Sequence, residues 1–285
     1  MAVVDPPYAE FAASGPSVPV VISSPHSGTL YPDGLAALLR IGGEELRALD
    51  DGPLDRLAAV AAATGASALC ARYARAYVDL TRAPDELDPE LVDGPLPARV
   101  ASVRVKAGLG VIPSRLGNRP IWRRPLDPSE VAERLEAGWY PYHARLAELL
   151  AERRRLFGTV LLLDLHSMPT EVTLVRGRRP LDVAIGDCHG RACEVELVRA
   201  VETTLAAAGL ACARNTPYAG GYITERWGRP AEGLCALQLE FRRSLFMDEA
   251  TGAPTAGLAA LAALVETLVA RVAAILAPPV LRAAE

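Results

Sequence analysis

Two histidines stand just beyond short apolar runs. Ser24-Pro25-His26-Ser27-Gly28 follows Val20-Val21-Ile22, and Asp164-Leu165-His166-Ser167-Met168-Pro169 follows the apolar run 160–163. Imidazoles delivered by separate buried strands suit a catalytic zinc site, which takes three protein ligands and keeps a fourth position open. The third ligand is then a carboxylate or another histidine. Asp50 and Asp51 precede the helical spacing of Leu54, Leu57 and Val60, so one of them can cap a helix while its neighbour binds metal. Asp79-Leu80-Thr81-Arg82 follows a third apolar run, where an arginine suits a bidentate grip on a substrate carboxylate. Glu240, beyond Ala236-Leu237-Gln238-Leu239, is either paired with an arginine such as Arg242 or poised as a general base.

Other polar residues support less. Ser27 and Ser167 lie beside histidines, but neither sits in a Gly-x-Ser-x-Gly elbow of a serine hydrolase. His189, in Gly186-Asp187-Cys188-His189-Gly190, has Cys193 nearby but no CxxC pair, which reads as a structural turn. His143 of Tyr140-Pro141-Tyr142-His143 reads as a packing residue. Lys106 is the only lysine and no Gly-Lys-Ser/Thr follows a glycine-rich loop, which excludes a P-loop. Gly220-Gly221 reads as a tight turn that lets backbone approach a ligand.

The elements that must position these groups alternate along the chain. Hydrophobic patterning predicts strands over 18–24, 67–71, 76–80, 159–165, 181–185 and 234–241, and helices over 44–63, 128–155, 192–208 and 254–277. Such alternation implies an α/β fold with a mostly parallel, centrally buried sheet, whose carboxyl edge binds ligands. Between 83 and 128 the periodicity fails and eight prolines occur: Pro84, Pro89, Pro95, Pro97, Pro113, Pro120, Pro125 and Pro128. The expectation is one domain over 1–285 with an extended loop insertion at about 83–128 that acts as a lid.

Composition narrows the class. The 285 residues are 51% hydrophobic and 22% charged, enough for a large core and unlike a disordered chain. A net charge of −4 argues against nucleic-acid binding, which depends on neutralising phosphates. The apolar stretch 255–277 is interrupted by Glu266 and Arg271 and reads as an amphipathic helix, not a membrane span. The odd count of five cysteines and the lack of a basic, then apolar, start imply a reducing cytoplasm without a signal peptide.

Many ordered blocks together resemble the N-formylglutamate amidohydrolase family. They include Pro25-His26-Ser27-Gly28, Ala71-Arg72-Tyr73 to Arg82, Ile112-Pro113, Ile121-Trp122-Arg123-Arg124-Pro125-Leu126, Pro141-Tyr142-His143, Gly186-Asp187, the block 215–224, Ala236-Leu237-Gln238-Leu239-Glu240 and Met247-Asp248-Glu249. The resemblance implies a three-layer α/β/α fold with a mixed sheet, related to the zinc carboxypeptidases and aspartoacylase. It implies one zinc ion on His26, Asp51 and His166, with Glu240 as general base. Arg82, with Arg75 as a second candidate, would hold substrate carboxylates, and Asn215 and Gly221 fall on the substrate side. The implied reaction is hydrolysis of N-formyl-L-glutamate to formate and L-glutamate, a small-molecule step of histidine breakdown.

Three departures stand out: Thr81 replaces an asparagine, and Cys235 and Arg226 replace histidines. They keep two alternatives open, a different N-acyl amino acid or small amide as substrate, and a non-catalytic binding protein.

Overall fold

A computed structural model describes residues 6–94, 102–174 and 179–277. Pro95 and Pro97 of the expected insertion, and the first five residues of the chain, lie outside the described residues.

The strands are β1 (Tyr8–Phe11), β2 (Val20–Ser24), β3 (Ser67–Ala71), the short pair β4 (Arg115–Leu116) and β5 (Arg119–Pro120), β6 (Val160–Met168), β7 (Val183–Gly186), β8 (Cys212–Arg214) and β9 (Leu234–Arg242). Seven of them form one mixed sheet in the order β1-β3-β2-β6-β9-β7-β8. β3, β2, β6 and β9 are parallel, β7 runs antiparallel to β9, and β8 is parallel to β7. Continuous apolar runs such as Val20-Val21-Ile22 and Leu161-Leu162-Leu163 are wholly buried, as strands covered by helices on both faces must be. The fold is thus the α/β class with a central, mostly parallel mixed sheet that the sequence implies.

The chain divides into two compact units. One comprises Glu10–Ser24, Asp51–Cys70 and Leu146–Glu285 and holds most of the sheet. In it the helix Gly257–Leu276 buries Leu261, Leu264, Val265, Leu268 and Val272, and packs against the helices Asp55–Ala63 and Val195–Ala207. Among the described residues it is also the one helix long and apolar enough to cross a membrane. The other unit comprises Met1–Ala9, Pro25–Asp50 and Ala71–Arg145. The described residues of the aperiodic stretch, 83–94 and 102–128, are folded, with Leu91, Val92, Val105, Val111, Ile112 and Trp122 buried.

Several expected elements differ. Residues 76–80 form turns and not a strand: Tyr77 N–H donates to Ala74 O, and the Asp79 carboxylate captures Thr81 N–H, an Asx turn that competes with strand pairing. The helix expected over 44–63 is broken into Gly43–Leu46, a 3₁₀ turn Arg47–Leu49, and Asp55–Ala63. The break is Asp50-Asp51-Gly52-Pro53, where Gly52 has φ +75° and proline supplies no N–H. β1, β8 and the helix Tyr222–Trp227 carry too short a pattern to stand out in sequence. The helix start at Asp127 is as expected: its carboxylate accepts from Ser129 N–H, and Glu130 completes a capping box.

Candidate active site

In the unit that contains Pro25–Asp50 and Ala71–Arg145, the chemistry gathers around Asp79. His26 comes two residues after β2, in a turn whose Gly28 lies so close to the backbone of Tyr73 that an added Cβ would stand 2.1 Å from the Tyr73 carbonyl oxygen. Glycine alone fits that approach. Asp79 is fully buried, and its Oδ1 accepts from His26 Nε2 (2.8 Å), Thr81 N (2.8 Å) and Thr81 Oγ1 (2.7 Å). Its Oδ2 accepts from Arg75 Nε at 2.9 Å and lies 3.8 Å from an Arg82 terminal nitrogen. Burial alone would raise the Asp79 pKa, but Arg75 and Arg82, then His26, hold it well below the usual carboxylate range. An ionised Asp79 carboxylate can only accept, so it holds an N–H on Nε2 of His26 and leaves Nδ1 as the nitrogen that can face a ligand.

Arg82 is braced on three sides. Its Nε donates to Leu109 O (2.8 Å), one terminal nitrogen donates to both Thr81 O and Thr81 Oγ1 (2.9 Å each), and the second is the nitrogen 3.8 Å from Asp79 Oδ2. The turn is also held from behind. A π-helical turn, Leu135–Trp139, interrupts the helix, and Trp139 Nε1 donates to Arg82 O at 2.9 Å. The His143 ring stacks on Trp139 at 4.0 Å, and its Nε2 donates to Leu80 O at 2.9 Å. His143 is therefore a packing and bracing residue, as its sequence context implies.

In the unit that contains most of the sheet, His166 lies between two carboxylates. Nδ1 is 2.8 Å from Asp51 Oδ2, and Nε2 is 3.0 Å from Asp164 Oδ2. Burial would lower the His166 pKa, but Asp164 and Asp51 outweigh it and raise it well above the ordinary histidine value. Asp164 is fixed in turn by Ser23 Oγ, which donates at 2.7 Å from the register-paired position on β2. Asp51 does not cap the helix after it. Its Oδ1 accepts from Ser167 Oγ at 3.3 Å and lies 3.8 Å from Arg243, whose Nε donates to Ser167 Oγ at 3.1 Å. Ser167 thus serves as a link between Asp51 and Arg243.

Glu240 is the register partner of His166 on the neighbouring parallel strand. Gln238 Nε2 donates to its Oε1 at 2.7 Å. Arg242 pairs with Asp182 and not with Glu240, donating to Asp182 Oδ1 at 2.5 Å. Arg242 is therefore not the partner of Glu240, which stands beside His166 on the neighbouring strand.

The remaining candidates belong to the same unit. Asn215 spends its side chain on the 187–190 turn: its Oδ1 accepts from Asp187 N and His189 N, and its Nδ2 donates to Asp187 Oδ1 at 2.7 Å. Cys188, His189 and Asn215 all adopt positive φ, so this interlock holds three non-glycine residues in a strained conformation, and His189 is part of a structural turn. Gly221 caps the helix Tyr222–Trp227 at its start. Cys235 is buried, hydrogen-bonded to Cys193, and five residues before Glu240 on the same strand, roughly 17 Å away at the usual rise. Arg226 stacks on Trp227 at 5.4 Å.

Asp79, Asp164, Gln238 and Arg243 are the site residues that sequence reasoning passed over. Asp164 was visible as the polar residue two before His166, a spacing that puts both on one face of a strand. Asp79 stood in plain view beside Arg82, but nothing local linked it to His26, 53 residues away. One unit thus offers a carboxylate-oriented imidazole and a braced guanidinium; the other offers a carboxylate-oriented imidazole beside Asp51, with the Glu240 carboxylate on the adjacent strand.

Comparison with known proteins gives a consistent result. A model of the N-formylglutamate amidohydrolase family matches residues 18–247. The chain is 38% identical over 240 residues to the N-formylglutamate deformylase of Pseudomonas aeruginosa, covering 81% of this chain and 83% of that protein. It is 34% identical to the N-formylglutamate deformylase of Pseudomonas putida, with the same coverage. The crystal structure of N-formylglutamate amidohydrolase from Ralstonia eutropha JMP134 superposes with a TM-score of 0.88 at 36% identity, over 95% of this chain and 98% of that one.

Proposed function

The chain belongs to the N-formylglutamate amidohydrolase family, and from that premise we propose that it hydrolyses the formyl amide of N-formyl-L-glutamate to formate and L-glutamate with a zinc ion held by His26, Asp51 and His166. The donor chemistry fits zinc. Two imidazoles and a carboxylate are a ligand set that catalytic zinc takes, and Asp79 and Asp164 each fix an imidazole through Nε2, the outer carboxylate arrangement that zinc histidines favour. A zinc ion held by these residues would supply a water of lowered pKa, about 7, and charge stabilisation at an amide oxygen.

The protein groups divide the remaining work. Glu240 takes a proton from the attacking water as the new C–O bond forms, and returns it to the departing amine nitrogen as the C–N bond breaks. Gln238 fixes the direction of that carboxylate. Arg82, with Arg75 beside Asp79, holds a substrate carboxylate so that the formyl group is aligned for attack. Arg243 and Ser167 engage one oxygen of Asp51, so that the other, beside His166, serves as the ligand. Asn215 and Gly221 shape the loop on the substrate side. On this reading the reaction is a step of histidine breakdown and the protein works in the cytoplasm.

The observation that carries this reading is the register pairing of His166 with Glu240, a ligand and a base on adjacent strands. The decisive assay is formate release from N-formyl-L-glutamate, with the aspartate and glutamine analogues in parallel, alongside elemental analysis for zinc. A zinc-loaded protein inert toward all three substrates would reject it.

A further inference from the structure

A second anion-binding geometry lies in the unit that contains Pro25–Asp50 and Ala71–Arg145, in a cavity of about 330 Å³ that shares no lining residue with the His26–Asp79–Arg82 cluster. Its wall is rigid. Leu39 and Trp122 pair antiparallel, with Arg40 N donating to Ile121 O (2.7 Å) and Arg123 N donating to Leu38 O (2.9 Å). Trp122 is buried and its Nε1 donates to Pro113 O at 2.7 Å. Arg40 and Arg123 follow the paired residues diagonally, so the bridge sets two guanidinium groups on its exposed side.

The charges lining this cavity do not cancel. Four arginines, Arg40, Arg115, Arg123 and Arg124, face two carboxylates, Asp88 and Glu90. Asp88 is already committed: it accepts from Ser114 Oγ (2.6 Å) and Glu90 N (3.0 Å), and pairs with Arg115. Arg124 is taken up by Glu130 through both terminal nitrogens. No carboxylate among the described residues pairs with Arg40 or Arg123. Arg123 is moreover oriented, because its Nε donates to Leu39 O at 2.7 Å and fixes the plane of the two terminal nitrogens. Like charges set side by side repel unless an anion sits between them, and planar guanidinium groups match carboxylates in a bidentate fashion.

We propose that this cavity, built on Arg40 and Arg123 with the Asn118 amide at its rim, is a second binding site for a small dicarboxylate, separate from the site of hydrolysis. Its volume suits a small metabolite. The choice of dicarboxylate rests on the proposed reaction, whose substrate and product both carry two carboxylates, so the ligand is present wherever the enzyme works.

The test is isothermal titration of the zinc-loaded protein with glutarate, an inert dicarboxylate, with inorganic phosphate as a second probe. Wild type should bind two glutarates per chain. The Arg40→Ala/Arg123→Ala variant should lose one of them, with affinity for it falling at least about tenfold, and keep wild-type turnover. Arg82→Ala should lose the other. The more conservative Arg40→Gln/Arg123→Gln pair, checked by circular dichroism, guards against a folding defect. Superimposable isotherms for wild type and either double variant would overturn the proposal, as would phosphate binding as tightly as glutarate, or loss of turnover together with the glutarate site. The isotherms need no turnover, so a wild type that releases no formate would reject the hydrolase reading while leaving the two-site result to stand or fall separately.

Discussion

His166 and Glu240 face one another across two parallel strands as direct register partners. Adjacent parallel strands hold such a pair on the same face of the sheet at a fixed separation, so neither residue depends on a loop for its position. The same is true one step back, where Asp164 pairs with Gln238. Each partner supports the residue ahead of it: Asp164 bonds His166, and Gln238 bonds Glu240.

Replacing Glu240 by Gln removes the proton acceptor and keeps the shape. We expect kcat to fall by about 10²–10⁴, the usual contribution of a general base, with zinc content and circular dichroism unchanged. Turnover within a few-fold of wild type would remove Glu240 from the proton transfers.

His26→Ala and His166→Ala should each abolish stoichiometric zinc. Asp164→Asn should be milder, weakening zinc by about 10–100-fold, as loss of an outer carboxylate does elsewhere. Competition with a chromogenic chelator measures all three. Removing the metal from wild type with a chelator should stop formate release, and added zinc should restore it.

Arg82 is expected to act through binding more than through the chemical step. Arg82→Lys keeps the charge but not the planar fork, and it also loses the bonds to Leu109 O and Thr81. Its KM for N-formyl-L-glutamate should rise at least about tenfold, with kcat changed less. Steady-state kinetics showing an unchanged KM would assign the carboxylate grip to other residues.

A fourth expectation concerns stability and pH at the start of β7. The Asp182 carboxylate accepts from Arg242, Arg179 and Ala211 N–H. Burial raises its pKa, but the Ala211 N–H and Arg242 outweigh that and lower it below 3.8. A carboxylate depressed in the folded state stabilises fully above its unfolded value, and the contribution is lost as pH falls through the folded one. Asp182→Asn should therefore cost about 1–3 kcal/mol at pH 7, typical of hydrogen bonds to a charged group. Urea denaturation should show the difference shrinking as pH drops below about 4. A gap as wide at pH 3 as at pH 7 would contradict it.

Much of this was legible because the polar residues interrupt strongly apolar runs. His26 follows a buried strand, and His166 and Glu240 interrupt buried strand patterns, a contrast that survives without any knowledge of contacts. What stayed hidden depends on pairing across long separations. Arg242 lies two residues from Glu240, yet its partner is Asp182, 60 residues away, brought alongside by β7 running against β9. The apolar 76–80 run likewise looks like a strand, because Ala76, Tyr77 and Val78 are buried, but they are buried beneath a turn set by Asp79. Local patterning reports burial; it does not report which backbone partner supplies the hydrogen bonds.

The π-helical turn before Tyr140 carries one residue more than an ordinary turn would. At about 100° per residue, that surplus sets the azimuth of the whole following helix, and with it the direction in which the indole and imidazole of Trp139 and His143 point. A lineage that shed a single position there would keep its helix content and its hydrophobic stripe, yet the turn that carries Arg82 would lose both struts at once. Insertions and deletions in this helix are therefore under a tighter constraint than substitutions on its surface.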